Sequence, residues 1–213
     1  MQPFIQKISG FGALKSLGQS LIKLTAPGIP DIYQGTELWD LSYVDPDNRR
    51  PVDYGIRSNY LADFRAFSKT NLKKKLNSLH RNYANGKIKM FLIYKTLLQR
   101  RRDESMFKKG EYVPLTLSGK EGENFIAFAG ILGKDWRISA APVSVTHMFN
   151  YEDLKPRNGH LDDIYIELPG DSPSEWDNIF TGESEFVEGK IPLMNSLSHF
   201  PVILLKNRKQ TWN

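Results

Sequence analysis

With 213 residues, 40% of them hydrophobic and 25% charged, the chain can bury a sizeable core as one large or two small domains. It has no cysteine, and its four histidines, His80, His147, His160 and His199, are scattered. Disulfides and thiolate metal sites are thereby excluded, and no metal or other cofactor is expected.

The formal net charge of +5 is local. Arg65 to Lys109 holds fourteen Lys or Arg against two acids, Asp103 and Glu104, whereas residues 110–213 hold nine basic against fifteen acidic residues. No apolar run reaches the about eighteen residues of a membrane helix, and the first residues lack the regions of a signal peptide. A cytoplasmic location and no membrane partner are expected.

Taken in chain order, Leu14, Leu17, Leu21 and Leu24 recur at steps of three and four, the stripe of an amphipathic helix. Pro27 and Gly28 stop it. The segment "IPDIYQG" then reads as one short buried strand, with Pro30 near its start where a strand tolerates proline. Helices are predicted again over Ile56–Phe67 and Ile88–Leu98, so a lone strand sits among helices. Because a strand must pair its backbone groups, its sheet is expected to lie outside these hundred residues.

From Tyr112 the pattern changes to short period-two runs, "YVPLTL", "NFIAFAGIL", "WRISAAPVSV", "IYIEL", "WDNIFTG" and "FPVILL", separated by turn clusters. These predict an antiparallel β-domain. The expected organisation is α/β for residues 1–109 and all-β for 110–213, with the last residues, "KNRKQTWN", as a frayed tail. Trp136 and Trp176 read as core residues rather than ligand platforms.

Chemistry is concentrated in the loop "TELWDLSYVDPDNRRPVDY". Asp31, Glu37, Asp40, Asp45, Asp47 and Asp53 offer carboxylates in and around it, and sequence spacing does not establish the geometry of an acid and nucleophile pair. A carboxylate beside a guanidinium can hydrogen-bond the vicinal hydroxyls of a sugar, with Trp39, Tyr33 or Tyr43 as an apolar platform. In "DPDNRR", Pro46 sets its own φ while Asp47 and Asn48 can bond nearby backbone groups. Asp45 paired with Arg49 or Arg50 therefore reads either as a rigid structural pair or as a ligand contact, and the two do not exclude each other.

The stretch "LTAPGIPDIYQGTELWDLSYVDPDNRRPVDY" resembles the maltooligosyltrehalose synthase family of the α-amylase superfamily (glycoside hydrolase family 13). The similarity continues through "GKIKMFLIYKTLLQRRR", "FKKGEYVPL", "NFIAFAG", "WDNIFTGE" and "FPVILL". The resemblance implies the last part of a (β/α)8 TIM barrel, made of a helix, the eighth strand and following helices, joined to a C-terminal antiparallel β-sandwich. It implies an α-1,4-glucan substrate contacted by Asp45 and Arg49, and Arg50, Tyr33, Glu37 and Trp39 are expected to bind substrate beside them. The reaction it implies is conversion of a reducing-end α-1,4 linkage into an α,α-1,1 linkage by retaining intramolecular transglycosylation, as in trehalose biosynthesis, with no cofactor.

The family's three catalytic carboxylates have no counterpart here. No histidine is followed by aspartate, and "DFRAF" around Arg65 has the wrong order for the nucleophile motif. The chain is therefore expected to be a C-terminal fragment, inactive without the N-terminal part of the barrel. Other α-glucan hydrolases or transglycosylases and a non-catalytic glucan-binding module stay as alternatives. The lysine-rich belt of residues 69–102 suggests phosphate binding, yet its charges alternate with apolar helix positions, and no nucleic-acid partner is expected.

Overall fold

The stripe Leu14, Leu17, Leu21 and Leu24 is the buried face of helix α1 (Gln2–Thr25) in a computed structural model that describes residues 1–46, 49–144 and 146–208. Ala26 caps the helix by donating its N–H to the Ile22 carbonyl, and Pro27 prevents a further turn. Three more helices follow: α2 (Tyr54–Arg65), α3 (Leu72–Arg81) and α4 (Lys87–Arg102). A short helix, α5 (Glu104–Lys109), leads into the sheets.

Helix α4 is buried on several sides through Ile88, Phe91, Leu92, Ile93 and Thr96, and it is the shared support of the helical region. By contrast α2 buries only Phe64. Each fully buried leucine or phenylalanine here contributes about 1.5–3 kcal/mol by leaving water.

The strand-rich region begins at Glu111. One antiparallel sheet has six strands: β1 (Glu111–Pro114), β3 (Phe125–Leu132), β4 (Asp135–Pro142), β6 (Glu175–Asn178), β7 (Ser184–Phe186) and β9 (Ile203–Asn207). Their spatial order is β1-β3-β4-β9-β6-β7. A second sheet takes the order β2-β5-β8, from β2 (Leu117–Ser118), β5 (Tyr165–Glu167) and β8 (Lys190–Pro192). A one-turn helix, α6 (Leu193–Leu197), follows β8.

The β3-β4 hairpin pairs Leu132 with Asp135 across Gly133-Lys134, the two-residue loop whose twist suits antiparallel strands. Strand β4 is buried along nearly its whole length. On one side α1 crosses it so closely that a Cβ on Gly18 would lie 3.3 Å from the Ala141 side chain.

One hydrophobic core spans both regions, running from Leu14 through Phe91 to Trp176 and Leu205. Phe200 shows how it is joined: its ring stacks on Phe180 at 4.6 Å and meets Phe91 of α4 edge-on at 5.8 Å. Beside it His80 of α3 is fully buried, with Nδ1 2.8 Å from the Asp153 carbonyl and Nε2 3.1 Å from the His199 carbonyl.

Three expectations change. The segment from Ile29 to Gly35 is not a strand: no ladder bond forms along it, because no described strand lies beside it. Helix α3, read only as part of a charged belt, is amphipathic and buries Leu76, Leu79 and His80. The terminal stretch is not wholly frayed, since Lys206 and Asn207 belong to β9. Asn207 accepts from the Trp136 backbone N–H at 2.8 Å and donates to the Lys134 carbonyl at 2.9 Å. Residues 209–213 of the expected tail lie outside the described residues. Trp136 and Trp176 are both in the core, at 4% and 0% exposure, so neither is a platform.

Candidate functional site

The loop from Gln34 to Asp53 is held against α4 and the start of α2 by a few side-chain bonds. Asp53 is the N-cap of α2, its Oδ1 accepting the Ile56 N–H at 3.0 Å. One turn on, Arg57 donates to Glu37 Oε2 at 2.9 Å, to the Gly35 carbonyl at 2.6 Å and to the Asp53 carbonyl at 2.9 Å. A single guanidinium thus ties the two ends of the loop together.

The middle of the loop is fixed on the other side. Trp39 donates its indole N–H to the Tyr83 carbonyl at 2.7 Å, and Lys89 of α4 donates to the Leu38 carbonyl at 3.1 Å. The Lys89 ammonium also lies 5.6 Å from the centre of the Trp39 ring. Burial lowers the pKa of Lys89, while the nearby Asp40 and Glu37 carboxylates oppose that shift. This seating needs Gly86: it has φ +76°, and a Cβ there would stand 3.0 Å from both Leu38 Cβ and the Trp39 nitrogen.

Of the residues expected at a site, Asp45 and Arg49 come together. Arg49 Nη2 donates to Asp45 Oδ2 at 2.7 Å, with side chains 68% and 56% exposed. The Arg49 N–H also donates to the Pro46 carbonyl at 2.9 Å. Asp47 and Asn48, expected to bond backbone groups in the same turn, lie outside the described residues.

Glu37 is turned toward Arg57. Trp39 is partly buried against the core, with one edge lining an open cavity of about 300 Å³. Arg50 and Asp40 line the same cavity, together with Ser42 and Arg57. Asp40 accepts from both the N–H and the hydroxyl of Ser42, and these bonds hold its carboxyl below the usual carboxylate range. Tyr33 is 44% exposed, and its carbonyl closes a turn by accepting from the Thr36 N–H and hydroxyl.

Arg57 and Lys89 are the residues that sequence reasoning missed, while Asp40 was read only as one of several loop carboxylates. A signal existed for Arg57, which stands four positions after the N-cap Asp53. No local pattern marks Lys89, whose partner Leu38 is 51 positions away.

Part of the lysine-rich belt and of its flank is engaged within the molecule. Lys87 pairs with Asp63, Lys108 pairs with Glu104, and Lys75 lies over the Phe67 ring. Arg100 donates to the Leu24 and Gly28 carbonyls at 2.8 and 2.9 Å. Among the described residues no group of three or more His, Asp or Glu side chains is arranged to hold a metal. Among the described residues no helix is long and apolar enough to cross a membrane.

Comparison with known proteins first defines a class. The chain superposes on an Anoxybacillus α-amylase with a TM-score of 0.54 and 17% identity, over 93% of its own length and 33% of that enzyme, a likeness of fold alone. A maltooligosyltrehalose synthase from Arthrobacter ramosus superposes more closely, with a TM-score of 0.72 and 26% identity over 97% of this chain and 24% of that one. In sequence the chain is 31% identical over 190 residues to putative maltooligosyl trehalose synthases from two strains of Mycobacterium tuberculosis. No family model matches the chain.

The chain is therefore related, over 89% of its length, to one part of the maltooligosyltrehalose synthases, as its loop motif led one to expect. It spans about one fifth of the length of the curated relatives it matches.

Proposed function

We propose that this chain is the C-terminal part of an enzyme that converts the reducing-end α-1,4 linkage of a maltooligosaccharide into an α,α-1,1 linkage, giving a maltooligosyl trehalose. In this reading residues 1–109 are the end of a (β/α)8 barrel and residues 110–213 a β-sandwich. The cytoplasm is the compartment this reading assigns, and maltooligosaccharide the partner.

The exposed Asp45–Arg49 pair carries the proposal at the site. It presents carboxylate acceptors and guanidinium donors side by side, and hydroxyl pairs of a glucose unit fit such charge-assisted bonds. Arg50 and the Trp39 edge offer a second contact along the neighbouring cavity, and Tyr33 an exposed ring. Glu37 acts through Arg57, by holding the loop.

The chain's own part in the reaction is to bind and orient the glucan. A carboxylate nucleophile and a general acid would come from the N-terminal portion that the relatives carry and this chain does not span. The released glucose would then turn and attack the glycosyl-enzyme through its anomeric hydroxyl. No cofactor enters such a reaction, and the chain by itself binds without turnover.

Titration with maltopentaose, followed by tryptophan fluorescence, tests the site. Asp45→Ala and Arg49→Ala are each expected to weaken binding by tenfold or more, and binding unchanged in both would move the site off the loop. Joined to the N-terminal portion of the Arthrobacter ramosus synthase, the chain should yield a non-reducing glucan from maltopentaose. Release of free glucose as the main product would favour an ordinary α-glucan hydrolase instead.

A further inference from the structure

Where α3, α4 and the turn between them meet, they leave a cavity of about 150 Å³, room for roughly five waters at about 30 Å³ each. Lys75 and Ser78 of α3, Asn82 and Asn85 of the turn and Lys87 of α4 supply its polar lining. Phe67 and Leu79 supply the apolar part.

The polar groups converge from three elements, and what they offer is chiefly donors. Asn82 spends its amide on the Ser78 carbonyl at 2.9 Å and reaches the Ser78 hydroxyl oxygen at 3.5 Å, so the hydroxyl proton is the part of Ser78 that can face a ligand. Asn85 uses its side-chain oxygen to accept the Lys87 N–H at 2.9 Å, which leaves its amide N–H groups to donate. Lys87 also pairs with Asp63, but one ammonium carries three donors and a single carboxylate oxygen takes one of them.

This lining is held in place before any ligand arrives. Gly86 donates its N–H to the Tyr83 carbonyl at 3.0 Å and Asn85 donates to the Asn82 carbonyl at 3.1 Å, while the far side of the turn is fixed by the Trp39 indole on Tyr83. Lys75 lies over the Phe67 ring, 5.6 Å from its centre. Groups already ordered lose little freedom on binding.

The charge around the cavity is positive. No carboxylate occurs between Asp63 and Asp103, a stretch with twelve Lys or Arg. Asp63 feels both cavity lysines, Lys87 strongly and Lys75 more weakly, and together they hold its carboxyl below the usual range. Two ammonium groups against that one carboxylate leave a net positive charge. Donors in excess of acceptors select an anion over a neutral sugar, and donors from three directions suit the tetrahedral oxygens of phosphate better than a planar carboxylate.

We propose that the cavity between α3 and α4 binds a phosphate group, either inorganic phosphate or that of a small phosphorylated sugar, with Lys75, Lys87, Ser78 and Asn85 donating to its oxygens. The Phe67 ring and Leu79 offer an apolar surface to the carbon skeleton of an ester. Such a site is separate from the Asp45–Arg49 pair and independent of the reaction proposed above.

Calorimetric titration of the chain at constant ionic strength, with inorganic phosphate and separately with glucose 6-phosphate, tests the site. Saturable binding of one equivalent is expected, with backbone amide NMR shifts centred on residues 75–87. Tighter binding of glucose 6-phosphate names a phosphorylated sugar as the ligand, and equal or weaker binding names free phosphate. Lys75→Gln and Ser78→Ala change exposed side chains, so each should keep the melting midpoint while weakening binding about tenfold or more. Lys73→Gln, on the same helix but outside the lining, should bind as wild type does.

The absence of saturable binding of both probes overturns the site, and so do shifts centred elsewhere in the chain. A loss in Lys73→Gln equal to that in Lys75→Gln overturns it too, because the attraction is then diffuse charge. Glucose binding as tightly as its phosphate ester removes phosphate as the recognised group.

Discussion

Arg57 and Glu37, twenty positions apart, form a 2.9 Å ion pair whose side chains are only 13% and 27% exposed. Because the same guanidinium also holds the Gly35 and Asp53 carbonyls, it acts as the clasp of the loop. Arg57→Ala is expected to destabilise the chain by about 2 kcal/mol, since charge-assisted bonds are lost and partners are left unmatched. Urea unfolding measures the loss, and faster amide exchange across residues 35–42 would show it as local. An Arg57→Lys variant should recover only part, because one ammonium cannot serve three divergent acceptors.

The Asp45–Arg49 pair is expected to behave in the opposite way. Both side chains are more than half exposed, so water competes and the pair contributes less than about 0.5 kcal/mol to stability. Asp45→Asn should leave the melting midpoint within about a degree or two of wild type, while glucan affinity falls. A large drop in thermal stability would instead make the pair structural.

Gly86→Ala is expected to cost about 1–2 kcal/mol from the left-handed backbone alone, with a further cost from the 3.0 Å approach to Leu38 and Trp39. Since Trp39 would be pushed from the Tyr83 carbonyl, its fluorescence should shift along with the melting midpoint. Glycine at this position is required by both its φ and its neighbours.

His80 predicts a pH dependence. Burial, the strongest influence, lowers its pKa, while the carbonyls of Asp153 and His199 pull the other way. Of the charged groups around it, Lys155 adds to the lowering and Asp153 opposes it. With the folded value below the unfolded one of about 6.5, the unfolded chain takes up more protons as pH falls. Stability should therefore be constant above about pH 6.5 and decline below it, by at most about 1.4 kcal/mol per pH unit. Urea midpoints between pH 7.5 and 5.5 measure this decline, and a His80→Asn variant should lack it.

Much of the helical region could be read in advance because its signals are local. Leu14, Leu17, Leu21 and Leu24 mark the buried side of α1, and Ile88, Phe91 and Leu92 mark α4. The change to strands near Tyr112 was equally legible, since the period of apolar residues itself changes. Strands β7 and β8 were not, because "SEF" and "KIP" each carry a single large apolar side chain and lie in no longer apolar run. At the site, the turn pairing Asp45 with Arg49 was legible because the two residues are four apart. Lys89 and Gly86 were not, because their partners in the loop lie about fifty positions away.

Residues 29–33 separate the two kinds of information most clearly. The sequence by itself determined that they are a short, mostly apolar segment, the composition of the loop that follows and the likeness to one family, all of which depend on residues close together in the chain. Only the tertiary structure decided that Glu37 faces Arg57, that Trp39 spends its N–H on Tyr83, and that the expected strand has no ladder among the described residues. The physical reason is that a helix closes its hydrogen bonds within itself, whereas a strand or a loop takes its partners from distant residues.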